Sequence, residues 1–285
     1  MQESSGGALC ALSNYYSGLY GPTGTVRTDQ DIAADQWPAA VRKLQQLPGS
    51  SVLRLQPLDA DVAWLASFEQ GLRAAGYRTD RFFCFANWYQ PVPAGGFAAY
   101  WQQRPSALRH SVERGRRRLD RAGDWRIDII DHVSPALDEG LAAYLAVYAS
   151  SWKAPEPCPD FMPALVRMAA REGWLRLGVL WLGGQALAAQ VWLVCDGKAN
   201  IYKLAYVQGQ ERFSAGSVLT AALMQRAMDV DRVQEVDYLS GDDAYKRDWM
   251  ALRRERVGLV AFDPRRAAGL LAAGRHFAGR LLRRR

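Results

Sequence analysis

Three apolar runs joined by two minimal turns limit the possible folds of this chain more than any other feature. Residues 174–182, 185–195 and 199–207 each read as a strand, separated by Gly183-Gly184 and Asp196-Gly197. Both dipeptides tolerate the positive φ of a two-residue hairpin, and Asp-Gly is among the commonest signals for one. The spacing predicts an antiparallel meander of three consecutive strands. Two helical stretches, 135–151 and 160–172, precede it. A helix at 214–228, a strand at 235–239, a short helix around Tyr245 and a strand at 255–262 follow.

The first half has a related outline. Residues 51–58 read as a strand, and Asp61 is placed to cap a helix whose Val62, Leu65, Phe68, Leu72 and Ala75 share one face. Gly76 ends that helix, and 81–89 is a second strand. Helical stretches at 97–103 and 106–122 flank Pro105, and 125–131 alternates like a strand with one buried face. Residues 1–50 carry no clear element. The segment NYYSGLYGPTGT at 14–25 is either a strand edge packed by tyrosines or a loop lining a substrate cleft with Tyr15, Tyr16 and Tyr20. The expected division is 1–132, 133–263 and a basic amphipathic helix over 264–285.

Charge is the next constraint. The net charge is +7, but residues 264–285 alone hold seven arginines and no carboxylate, so the rest of the chain is balanced. The body is therefore not basic overall, which concentrates the question on two clusters. Between Arg104 and Arg121 seven arginines surround an apolar stripe of Leu108, Val112, Gly115 and Leu119. This is a solvated helix packed by its stripe, or a cationic wall facing a polyanionic substrate or a donor phosphate. In the C-terminal segment Leu270, Gly274, Phe277 and Leu281 align away from Arg275, Arg280 and Arg283, which is the form of a helix lying on an anionic membrane surface. A neutral tail and a nucleic-acid contact are the alternatives. Cys10, Cys84, Cys158 and Cys195 are far apart and the three histidines are scattered, so no metal site is expected. With no secretory leader and no run of about twenty apolar residues, the expectation is a reduced, cytoplasmic protein, peripheral to the membrane at most.

Chemistry concentrates between Asn200 and Trp249. Ser214 is placed to cap the helix that begins with Ala215, Gly216 and Ser217, and a helix N-terminus offers free amides and a positive dipole to phosphate. Val207, Gln208 and Arg212 precede it in the loop. If residues 242–249 are helical, Asp242, Tyr245, Lys246 and Trp249 share a face. Asp242 or Asp237 then accepts a proton, Tyr245 protonates a leaving group, Lys246 offsets negative charge, and Trp249 meets substrate. The alternative is structural: Asp242 caps the short helix and pairs with Lys246, while Tyr245 and Trp249 enter the core.

Ser214-Ala215-Gly216 opening a helix, Asp237 in a strand, then Gly241-Asp242 and Tyr245-Lys246 resemble the GNAT-like acyltransferases associated with bacterial cellulose and exopolysaccharide synthesis. The arginine-rich helix and the NYYSGLYGP segment resemble that family's first half. The pattern is more distantly similar to the Fem-type peptidoglycan aminoacyl ligases, which hold two GNAT-like halves in tandem. The resemblance spans about residues 10–262. It implies an α+β fold with a mixed sheet and two tandem GNAT-like halves, and an N-acyltransferase using acetyl-CoA or another acyl-CoA, without a metal, on a small-molecule or envelope-precursor amine. The loop before the helix lacks the glycine-rich pattern of CoA-binding relatives, with Gly216 alone in place. Aminoacyl-tRNA as donor, and a non-catalytic accessory role at the membrane, are the competing readings.

Overall fold

The structure is a computed structural model in which residues 2–3, 7–22 and 36–282 are described. Thr23, Gly24 and Thr25 of the tyrosine-rich segment and Arg283, Arg284 and Arg285 lie outside the described residues. In chain order the elements are β1 (Gln2–Glu3), β2 (Leu9–Cys10), α1 (Trp37–Gln45), β3 (Val52–Asp59), α2 (Ala63–Ala74), β4 (Arg78–Pro91), α3 (Gly96–Gln102), α4 (Ser106–Ala122) and β5 (Trp125–Ile130). There follow α5 (Pro135–Ala149), α6 (Phe161–Arg171), β6 (Leu175–Leu182), β7 (Gln185–Cys195), β8 (Lys198–Tyr206), α7 (Ala215–Gln225), β9 (Glu235–Asp237), α8 (Lys246–Trp249), β10 (Leu252–Phe262) and α9 (Ala267–Leu282).

These elements form two compact units, Met1–Asn87 with Arg254–Arg285, and Trp88–Arg253. The bounds differ from a division at 132 and 263. The reason is packing: α3 and α4, expected with the first half, bury Tyr100, Leu108, Val112 and Leu119 in one cluster with the apolar side of α7.

In the first unit β2 runs parallel to β3, and β3 pairs antiparallel with β10 from Val52↔Phe262 to Asp59↔Arg256. β10 lies between β3 and β4. α1, which carries no clear sequence signal, and α2 cover this sheet through Trp37, Val41, Leu65, Phe68 and Leu72. Asp61 does not cap α2; Val62 holds the N-cap position without a side-chain bond, and the Asp61 amide instead donates to Asp59.

The second unit contains the expected meander. β5, β6, β7 and β8 are joined antiparallel in that order. Its turns sit at Gly183-Gly184 and Asp196-Gly197, all four with positive φ. Alternation along the strands sends side chains to two faces. Leu175, Leu177 and Val179 pack with α5 and α6, whereas Leu180, Ala188 and Trp192 pack with α3, α4 and α7. β9 then runs parallel to β8, pairing only Lys198, Ala199 and Asn200 with Glu235, Val236 and Asp237. Beyond Asn200 the pairing stops, because β9 ends at Asp237, and the same three residues pair on their other side with Tyr89, Gln90 and Pro91 of β4. The far part of β8, up to Tyr206, has no strand partner on that side among the described residues.

Candidate active site

The site is built around the start of α7. A three-residue 3-10 turn, Glu211–Phe213, leads into Ser214, whose backbone is left-handed at φ 48°. Ser214 holds the N-cap position, as the sequence indicates, but its side chain caps nothing; it lies 3.4 Å from the Ser111 hydroxyl on α4. The first-turn amides, which an ordinary serine cap satisfies in part, are thus left open, and the helix dipole adds to them. They border a cleft of about 210 Å³ lined by Leu187, Tyr206, Val207, Gln210, Glu211 and residues 214–217.

Two packing features hold that helix start. The buried Gln190 amide donates to Gly216 O at 3.1 Å and to the Thr220 hydroxyl at 2.7 Å, and Gln190 itself accepts from the Trp192 indole at 2.8 Å. On the other side Gly115 brings α4 against the turn. A Cβ there would lie 2.6 Å from Phe213 O and 3.2 Å from Ser214 Cβ. At Gly216 the vacant Cβ position faces the Tyr206 ring, 3.3 Å away. Its bareness makes room for that ring.

The open amides suit a donor pyrophosphate. Glu211 is an opposing charge at the rim, held ionised by its own amide and that of Gly209, but its Oε1 is turned back onto the Gly209 amide at 2.9 Å. Arg118 on α4 donates to Arg212 O at 2.6 Å, bringing two guanidinium-bearing residues to the same turn. The residues present therefore fit a phosphate-bearing donor. Val207, Ser214, Ala215, Gly216 and Ser217 line the cleft. Gln208 and Arg212 do not; Gln208 is exposed, and the Arg212 guanidinium lies over the Phe213 ring at 4.7 Å.

The proposed helical face over 242–249 does not form, since α8 begins only at Lys246. The physical reason is Lys246 itself. Its buried ammonium binds Ser240 O at 2.5 Å and Asp243 Oδ2 at 3.3 Å, pinning the loop in a non-helical course with Gly241 at φ 104°. Its partner is thus Asp243, not Asp242, and burial lowers its pKa against the opposing pull of Asp243. Asp242 is exposed and accepts from Trp88 Nε1 at 2.7 Å and Arg253 Nη2 at 2.9 Å. The Arg253 and Trp88 bonds hold its carboxyl below the usual range. Asp237 is buried, and its Oδ1 takes the Leu239 amide at 2.6 Å, fixing a left-handed residue. Trp249 belongs to the core: its carbonyl accepts from Tyr100 Oη at 2.8 Å and its ring packs on Trp101. Tyr15, Tyr16 and Tyr20 belong to the first unit, where Tyr20 borders an apolar cavity of about 340 Å³ with Trp37, Trp64 and Phe68. None of them lines the cleft.

Tyr245 is different. It is 44% exposed, packs edge-on to Tyr238, and its phenol is pushed up by burial of its hydroxyl, then by Asp243 and Tyr206. It stays protonated through the physiological range. Tyr206 is the joint between this group and the cleft, since it borders Gly216 and acts on Tyr245.

A neighbouring cluster gives no signal in the sequence. The Trp152 ring lies 4.5 Å from that of Tyr206, and Lys153 Nζ sits 5.7 Å from the Trp152 centroid and 5.9 Å from that of Tyr148. Lys203 Nζ pairs with Glu156 Oε1 at 2.7 Å, both largely buried. Burial and the like charge of Lys203 depress the Lys153 pKa to about 8, with Glu156 pulling the other way and Lys246 and Asp243 adding smaller effects. Lys153, Glu156, Lys203, Asp243, Tyr245 and Lys246 form one cluster of charged and phenolic groups, which Tyr206 and Trp152 join to the cleft.

Parallel strands β8 and β9 paired over three residues only, with the N-terminus of α7 beside them, are arranged as in a GNAT-type fold. Residues 106–247, just under half of the chain, match the family described as Acetyltransferase (GNAT) domain. No curated protein matches the chain significantly. Among solved structures it is similar to FemX, with 9% identity over 85% of this chain and 79% of that one at a TM-score of 0.63. It is similar to a conserved protein of unknown function from Bacteroides thetaiotaomicron, with 11% identity, 79% and 75% covered, and a TM-score of 0.56. It is also similar to the C-terminal domain of a putative lysylphosphatidylglycerol synthetase from Agrobacterium fabrum, with 15% identity, 82% and 73% covered, and a TM-score of 0.50. At these identities the likeness is one of fold.

Proposed function

We propose that this chain transfers an acyl group from an acyl-CoA thioester to an amine. The observation carrying the reading is Tyr206, whose ring borders Gly216 at the start of α7 on one side and packs 4.5 Å from the Trp152 ring on the other. A donor whose pyrophosphate rests on the amides of Ala215, Gly216 and Ser217 directs its thioester along Tyr206, past the end of the β8–β9 pairing. The amine enters from the side of Trp152. Its nitrogen attacks the thioester carbon, the C–S bond breaks, and the departing thiolate takes the Tyr245 proton. The proton released by the amine passes to Glu156, and the Tyr245 phenol regains its proton once the thiol product has left. Lys246, tied to Ser240 and Asp243, keeps the Tyr245 turn in position. An envelope or polysaccharide-related acceptor rests on the sequence resemblance alone.

A second reading, transfer from aminoacyl-tRNA, is favoured by the exposed arginines of α4. Arg114, Arg116, Arg117, Arg118 and Arg121 face outward while its apolar stripe is buried.

Ligand-dependent melting separates the two. Under the first reading acetyl-CoA or a longer acyl-CoA raises Tm by mass action, and Tyr245→Phe lowers kcat roughly 10²-fold with little change in KM. Salt-sensitive tRNA binding without a response to any acyl-CoA establishes the second. Wild-type turnover in Tyr245→Phe eliminates the role given to that phenol.

A further inference from the structure

Helix α9 is apolar on two opposite sides, and only one of them is used. At 100° per residue, Gly269, Ala273, His276, Phe277 and Arg280 fall together, and this side packs on the first unit. Ala273 and Phe277 join Val260, Phe262 and Phe82 in a small cluster. His276 Nε2 lies 2.7 Å from Asp80 Oδ2, and Arg280 also pairs with Asp80. Gly269 fixes the orientation, because a Cβ there would meet the Asp263 carbonyl and stand 2.8 Å from Ser51 O. The helix therefore cannot roll to bury its other side. The aligned set expected from the sequence is split accordingly: Phe277 packs inward, whereas Leu270, Gly274 and Leu281 face out.

The outward side is a leucine strip. Leu270, Leu271, Leu281 and Leu282 are 57%, 65%, 69% and 76% exposed. With Gly274 and Ala278 between them they span an arc of about 120° and a length of about 18 Å, with no charged residue inside it. Isolated exposed leucines are ordinary on a soluble protein, but four on one uncharged helix strip are an interaction surface. Arg275 flanks the strip, exposed and without a carboxylate partner among the described residues. Arg265, Arg266 and Arg280 are committed to Asp263 and Asp80. Residues 264–285 contain no carboxylate, so the surroundings of the strip along the helix carry one sign of charge.

We propose that the outer leucine side of α9 rests on an anionic membrane surface, with its leucines in the interfacial layer and Arg275 at lipid phosphates. Charge favours this occupant over a second copy of the chain, since a two-fold pairing of the strips would bring arginines against arginines. No helix among the described residues is long and apolar enough to cross a membrane, so the contact is peripheral. Nothing in it depends on the transfer reaction.

Co-sedimentation of the full chain with phosphatidylcholine vesicles, with and without phosphatidylglycerol, tests it. Wild-type protein is expected to bind the anionic vesicles alone. Leu271→Ser with Leu282→Ser should lower the partition coefficient about tenfold or more. Arg275→Gln should lower it roughly fivefold, an effect removed by salt. All three positions are exposed, so melting should be unchanged, and a circular dichroism melt checks that. No binding to anionic vesicles, or equal binding by the double-leucine variant, overturns the proposal. So does a concentration-dependent dimer that the same leucine substitutions dissolve, which would make the strip an interface between copies.

Discussion

Gly115→Ala is the most informative single substitution, because two opposing effects of known size meet at one atom. Gly115 lies inside α4, where alanine should gain about 0.5–1 kcal/mol from helix propensity. Its new methyl, however, would stand 2.6 Å from Phe213 O, 2.9 Å from Val218 Cγ2 and 3.2 Å from Ser214 Cβ. The first contact is with backbone, which cannot rotate away, so α4 or the turn before α7 must shift by several tenths of an ångström. Overpacking of this kind costs about 1–3 kcal/mol. The net expectation is a loss of up to about 2.5 kcal/mol, a fall in Tm of up to about 10 °C for a unit of this size. Because the displaced atoms belong to the turn that exposes the first amides of α7, donor affinity should fall with stability. Gly274→Ala, on an exposed helix position with nothing within 4 Å of the added carbon, is the control and should stabilise by about 0.5–1 kcal/mol. Urea unfolding of both variants, with acyl-CoA thermal shifts alongside, gives the comparison. If Gly115→Ala proves as stable as Gly274→Ala, α4 does not bear on the Phe213 carbonyl and the account of the site's scaffold fails.

Two further outcomes follow from buried charges. The Lys153 pKa of about 8 lies below its unfolded value of 10.5, so the folded state binds fewer protons between those limits and stability rises with pH through that window. Below about pH 8 the penalty is fully present, at most about 3 kcal/mol. Lys153→Met should therefore be more stable than wild type at pH 7, with the difference shrinking as pH rises towards 10.5. A pH-independent difference in urea midpoints would contradict the desolvation of that ammonium. At Asp80 burial opposes ionisation, but the bonds from His276 and Arg280 outweigh it and lower its pKa. Its contribution is thus present above the unfolded carboxylate value and lost as pH falls through the folded one. Asp80→Asn should loosen α9, seen as faster proteolysis within 267–282 at neutral pH; unchanged cleavage would show that the apolar cluster alone holds the helix.

The architecture was legible where the signal is local. Gly183-Gly184 and Asp196-Gly197 impose their turns within two residues, and the stripe of Leu108, Val112, Gly115 and Leu119 is the buried side of α4. The site was legible only in part. Ala215, Gly216 and Ser217 follow from helix-start chemistry, but the left-handed backbone of Ser214 does not, because serine ordinarily caps in an extended conformation. Asp242 and Lys246 have the i, i+4 spacing of a helical pair, yet the ammonium prefers the carbonyls of an unwound loop, and no periodicity expresses that choice. Lys153 and Lys203 are brought together by a loop and a strand far apart in sequence, so neither spacing nor composition marks them. On α9 two apolar sides compete, and what decides between them is a backbone approach at Gly269, which is a tertiary contact.

The placement of β10 has a consequence for how the polypeptide is made. That strand is flanked by β3 and β4, yet the ribosome delivers it only after the entire continuous unit Trp88–Arg253. For roughly 10–30 s of synthesis the nascent chain holds two hydrogen-bonding edges waiting for a missing middle strand. Premature termination before Arg254 would release a species whose second unit is whole in sequence but whose first-unit sheet is left with a sticky gap, the kind of product that quality control removes as aggregate.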